Sequence, residues 1–97
     1  MTPSQEISLS AVPAQVCNVQ LGGQSCTINV YQKRTGLYLD LAVNGSAVVS
    51  GVLALDRCAM VRGVSGFVGD LAFVDTQGTD APTYDGFSSR FILVWGE

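Results

Sequence analysis

Apolar residues along this chain recur at every second position, not every third or fourth. In Leu37-Tyr38-Leu39-Asp40-Leu41-Ala42-Val43 the leucines and Val43 share one parity, and Tyr38, Asp40 and Ala42 share the other. Successive strand side chains point to opposite faces, so the run predicts a half-buried β-strand. Asn44-Gly45 follows at once, and both central positions of a type I′ hairpin turn need the positive φ that Asn and Gly tolerate. Ser46 to Leu55 is then the returning strand, with Val49, Leu53 and Leu55 on one face and Val48 and Val52 opposite. Gly51 inside it predicts a bulge or a close backbone approach.

The same period extends in both directions. Ile7 and Leu9 mark a short first strand ending at Pro13, and Val16 to Leu21 reads as a second, turned by Gly22-Gly23 into Gln24 to Gln32. There Cys26, Ile28 and Val30 face one way, and Thr27, Asn29 and Tyr31 the other. Lys33-Arg34-Thr35-Gly36 connects to the Leu37 strand. Gly63 and Gly66 bracket a loop before Phe67 to Val74, where Phe67, Leu71 and Phe73 share a face. Asp75 to Gly86 is a long polar loop containing Pro82, and Arg90-Phe91-Ile92-Leu93-Val94-Trp95 is a strong terminal strand. About seven to eight short strands separated by turn signals predict an all-β fold, a small antiparallel β-sandwich or barrel. Residues 1–97 are expected to form a single β-domain, with residues 1–5 a flexible or partner-contacting N-terminal arm and Gln77–Ser88 a mobile or partner-dependent loop.

Composition adds a partner to this picture. Of 97 residues 47% are apolar and only 13% charged, against a usual quarter. Large uncharged surfaces on soluble proteins tend to be covered by other chains, so self-association or residence in a complex is expected. Five basic and eight acidic side chains give a net charge of −3, which argues against a nucleic-acid partner. Lys33–Arg34 is read as the flank of a turn. The apolar runs are too short to span a bilayer as helices. Met1 to Glu6 is polar and lacks the positive region of a secretory leader, so a reducing cytosol is the expected place of synthesis. Cys17, Cys26 and Cys58 form no C-x-x-C pair; a Cys17–Cys26 bridge is geometrically open, but buried thiols are the preferred reading.

No catalytic, cofactor or metal residue is assigned. The chain has no histidine, which removes Ser-His, Cys-His and His-metal chemistry. Asp75-Thr76-Gln77-Gly78 approaches the Asp-Thr-Gly of dimeric aspartic proteases, but Gln77 interrupts the motif. Asp70, Asp75, Asp80 and Asp85 recur at intervals of five, too dispersed for the converging oxygens that calcium needs; turn capping is the expected role of the last three. Tyr31, Tyr38, Tyr84 and Trp95 are candidates for an aromatic platform binding sugar (carbohydrate) or single-stranded nucleic acid, though no basic groove supports the latter, and more simply for core or interface. Arg90 is expected to pair with Asp85 or Asp70.

Four blocks in order carry a resemblance. They are Glu6-Ile7-Ser8-Leu9; Leu21-Gly22-Gly23-Gln24 with Cys26-Thr27-Ile28-Asn29-Val30; Leu37-Tyr38-Leu39-Asp40-Leu41 with Val48-Val49-Ser50-Gly51-Val52; and Gly69-Asp70-Leu71-Ala72-Phe73-Val74-Asp75 with Asp80-Ala81-Pro82-Thr83-Tyr84-Asp85 and Arg90-Phe91-Ile92-Leu93-Val94. Together they resemble the baseplate plug-like family of small tail proteins from contractile-tailed bacteriophages. The resemblance implies a non-enzymatic structural role: a trimeric or hexameric ring joining tube, hub or wedge proteins in the virion's tail baseplate, assembled in the host bacterial cytoplasm. It implies no cofactor and names no site residue. A stand-alone carbohydrate-binding β-sandwich is the alternative expectation. Arg90–Trp95 and Thr2–Leu9 are the expected strand edges for contact with neighbours.

Overall fold

The computed structural model describes residues 3–62 and 67–97. Strands β1 (Pro3–Ile7), β2 (Ala14–Leu21), β3 (Gln24–Lys33), β4 (Gly36–Val43), β5 (Ser46–Leu53), β6 (Asp70–Asp75) and β7 (Phe91–Gly96) follow in order, with a 3-10 turn at Tyr84–Gly86 before β7. They form two antiparallel sheets, β1-β7-β6 and β2-β3-β4-β5. This is a β-sandwich. Of the residues named in the expected loop, Gly63 and Gly66 lie outside the described residues.

The alternation sets which side chains fill the space between the sheets. Ile28, Leu39 and Leu41 from one sheet and Leu71, Phe73 and Leu93 from the other are at most 1% exposed and belong to one apolar cluster. Fully burying each such side chain contributes about 1.5–3 kcal/mol. Asn44 and Gly45 take φ of 52° and 83°, as the hairpin signal requires.

In β5 the expected faces need correction. Val52 stands opposite Leu39 and Val49 opposite Leu41, so two inward-facing leucines are met by valines three positions apart. The extra residue is a bulge at Ser50–Gly51, where Gly51 has φ of 65°. Gly51 was expected to mark such a bulge, but a bulge also changes the parity of everything after it, so Val49 and Val52 share a face. The strand ends at Leu53, and Ala54 continues only one bond, donating N–H to the Leu37 carbonyl at 2.8 Å.

The N-terminal segment belongs to the sandwich from Pro3 onward: β1 pairs with β7 from Pro3 opposite Gly96 to Ile7 opposite Leu93. Ile7 and Leu9 are buried. The terminal strand β7 lies between β1 and β6. Both its sides are already hydrogen-bonded, so the expected contact edge at Arg90–Trp95 does not exist. Residues 54–62 run along the outer side of β6, where Arg57 N–H donates to Phe73 and Met60 N–H to Leu71 at 2.7 and 3.0 Å.

Candidate interaction surface

A charged, hydrogen-bonded cluster lies where β6 ends and β7 begins. Asp75, 1% exposed, closes β6 opposite Phe91, which puts Arg90 beside it. Arg90 donates from Nε to Oδ1 and from Nη2 to Oδ2, both at 2.8 Å, and Nη2 also reaches Asp80 Oδ2 at 2.8 Å. The Gln77 and Asp80 N–H groups complete the carboxylate's partners. Arg90, chiefly by these bonds, holds the Asp75 carboxyl well below the usual range despite burial, and Asp75 in turn holds the guanidinium protonated. Both oxygens of Asp75 are taken up by Arg90 and the turn amides, an arrangement unlike the shared-proton carboxylate pair of an aspartic protease.

The remaining aspartates separate. Asp70 accepts N–H bonds from Met60, Val61, Arg62 and Leu71, and Asp85 accepts from the Thr83 hydroxyl at 2.6 Å. The expected pairing of Arg90 with Asp85 or Asp70 is therefore replaced by Asp75 and Asp80. Register, which the sequence does not display, decides it. Asp75 does cap the turn after β6, as expected. Among the described residues no group of three potential metal ligands converges. An open cleft of about 440 Å³ lies beside the Arg90 cluster, lined by Gln77, Asp80, Thr83, Asp85 and Ser89 among others.

The four aromatics do not make one platform. Trp95 is buried and donates Nε1–H to the Val68 carbonyl at 3.0 Å, and Tyr84 packs against the core. Tyr31 and Tyr38 stack on the outer face of the four-stranded sheet with centroids 6.0 Å apart, and Lys33 Nζ sits 5.4 and 5.5 Å from their rings. Beside them Asp40 accepts from Tyr31 Oη (3.0 Å), Gly51 N–H (2.6 Å) and Asn29 Nδ2 (3.4 Å). Burial, then the Asp40 carboxylate, pushes the Tyr31 phenol up. Asp40 is thus occupied, and the rest of this face is nearly uncharged. Rows Ala14–Tyr31–Tyr38–Leu53 and Asn18–Thr27–Ala42–Ala47 cross it. Val16 is 63% exposed on it and Leu53 42%.

At the margin of that face runs β2. Pro13 accepts from Gln32 N–H, so the odd-numbered residues of the strand bond to β3 and the even-numbered ones point their N–H and C=O groups away. Among the described residues these outward groups meet one protein partner, the Gln5 side chain at the Gln20 carbonyl, 3.5 Å away. The three cysteines are free thiols, Cys26 buried and Cys17 and Cys58 half-buried. Cys17 stands opposite Ile28, and Val19 opposite Cys26, so the bridge left open by the sequence is not formed.

A family model described as the cyanophage baseplate Pam3 plug gp18 matches residues 4–97. The chain belongs to that family. No curated protein matches it. The plug family match spans both sheets, from β1 to the end of β7. Sequence reasoning located its framework and missed two features on it. The Asp40 cluster depends on the β5 bulge that brings Gly51 N–H to the carboxylate. The free edge had a signal, an uncharged eight-residue strand without an internal proline, which went unread because edge position depends on strand order.

Proposed function

We propose that this chain is a structural component of a phage tail baseplate, acting through contacts with copies of itself and with other tail and baseplate proteins. The observation that carries the reading is the plug-family match over residues 4–97. A catalytic step is no part of it. In this reading the chain forms one β-domain, assembles in the host bacterial cytoplasm and takes its place in a trimeric or hexameric ring between tube and hub or wedge proteins. The outer face, nearly uncharged apart from Asp40 and Lys33, and the open strand edge support it, since both are surfaces suited to being covered. Tyr31 and Tyr38 lie on a different surface from the polar cleft, which weighs against a sugar groove.

The experiment is gold labelling of the chain in purified particles, paired with deletion of its gene. Label at the tail tip and particles without a complete baseplate are expected. Intact baseplates in the deletion strain would overturn the reading.

A further inference from the structure

We infer that β2 is a self-pairing edge: two copies of this chain join antiparallel along Ala14–Gln20, about a two-fold axis at Cys17, into one continuous sheet. The inference rests on reading the chain as an assembly component and names the surface it uses; a closed two-fold pair fits a six-copy ring built from three such pairs and not a ring of three single copies.

The other edges carry features that hinder strand addition. β5 is bulged twice, β6 is covered by residues 54–62, and β1 has Pro3, Glu6 and a register shift. β2 pairs with β3 from Ala14 to Leu21 without a shift. It contains no charge and no proline, so it lacks the devices by which exposed edges avoid one another.

Charge and register favour a second copy as the occupant. A chain of net charge −3 meets itself at least cost where it carries none, and Ala14–Leu21 is such a stretch. Its outward backbone groups belong to Ala14, Val16, Asn18 and Gln20. In one two-fold register all four pair among themselves: Ala14 with the partner's Gln20, and Val16 with the partner's Asn18. Sliding two residues either way sets an end residue against Val12 or Gly22, beyond the strand. Closed two-fold pairing uses the same patch on both copies. It also makes the exposed valines diagonal neighbours across the seam.

That register puts Cys17 directly opposite the partner's Cys17 at a non-hydrogen-bonded position. Cα atoms there are about 4.5 Å apart, within the range a disulfide spans. The thiol pair is a reporter of register. Its oxidation couples two thiols to one disulfide, with two electrons and two protons passing to the added oxidant.

The test uses the full chain. Sedimentation should show a concentration-dependent dimer of the 10.2 kDa protomer. Mild oxidation with copper-phenanthroline should trap it in the wild type and in C58S but not in C17S. V16K should weaken dimerisation about tenfold or more by setting like charges near each other. It should leave Trp95 fluorescence unchanged, since Val16 is exposed. A strict monomer at millimolar concentration, a product linked through Cys58, or undiminished pairing of a folded V16K would overturn the inference. A chain present in baseplates yet monomeric in solution and unlinked at Cys17 overturns the edge pairing alone. Its absence from the particle overturns the baseplate reading.

Discussion

Arg90 grips Asp75 through two parallel N–H···O bonds of 2.8 Å each, tying the residue before β7 to the last residue of β6. A guanidinium supplies both donors from one rigid plane; a lysine ammonium is a point charge. R90K should therefore lower the melting temperature by several degrees, although it conserves charge. Thermal unfolding followed by Trp95 fluorescence checks this. An unchanged midpoint would mean that the second bond contributes nothing.

The same pair sets an acid limit. Asp75 titrates well below its ordinary value of 3.8 because of Arg90. A depressed folded-state pKa adds stability that is fully present above the unfolded value and is lost as pH falls through the folded one. Urea midpoints should decline as pH drops below 3.8. In D75N that decline should be shallower, from a lower starting stability at neutral pH. Parallel slopes for the two proteins would contradict the assignment.

What was legible in the sequence is what is local. Alternation over Leu37–Val43 and the Asn44-Gly45 turn specified β4, β5 and their hairpin, because each depends on neighbours in the chain. Asp75 was visible at a strand end and Arg90 at a strand start, but their meeting depends on how β6 registers against β7. The central position of β7 depends on β1 joining from the far end of the chain. Neither leaves a periodic trace. The β5 bulge shows a middle case: Gly51 announced it, yet its effect on the valine faces required the paired strand.

Gly69 tests the packing of the indole. A Cβ there would stand 2.7 Å from both the Gly96 carbonyl oxygen and Trp95 Nε1, at a φ of 91°. Gly23, at φ of 77°, has open space around the same position. G69A should cost about 2–4 kcal/mol from backbone strain and overlap together, whereas G23A should cost about 1–2 kcal/mol from strain alone. Trp95 emission should shift to the red in G69A only. Equal losses in the two variants would show that overlap with Trp95 adds nothing.

Asp70 is the anchor for the segment that covers β6. Its carboxylate accepts N–H bonds from Met60 (3.0 Å), Val61 (2.8 Å) and Arg62 (2.8 Å), besides its neighbour Leu71. Met60 and Val61 are also buried, so apolar packing and hydrogen bonding compete as explanations of what holds the segment. D70A removes the acceptors and leaves the apolar contacts. Met60 N–H keeps the Leu71 carbonyl and Arg62 N–H turns to water, but the buried Val61 loses its acceptor. An orphaned buried donor costs about 1–3 kcal/mol, so exchange of the Val61 amide, and less strongly of its neighbours, should rise by about ten- to a hundredfold. The Ile28 and Leu41 amides, in the other sheet, should keep their protection. A rise confined to residues 60–62 identifies a local latch over β6. Exchange that stays slow there would assign the covering to the Met60 and Val61 side chains. A rise across both sheets would make Asp70 part of the global fold.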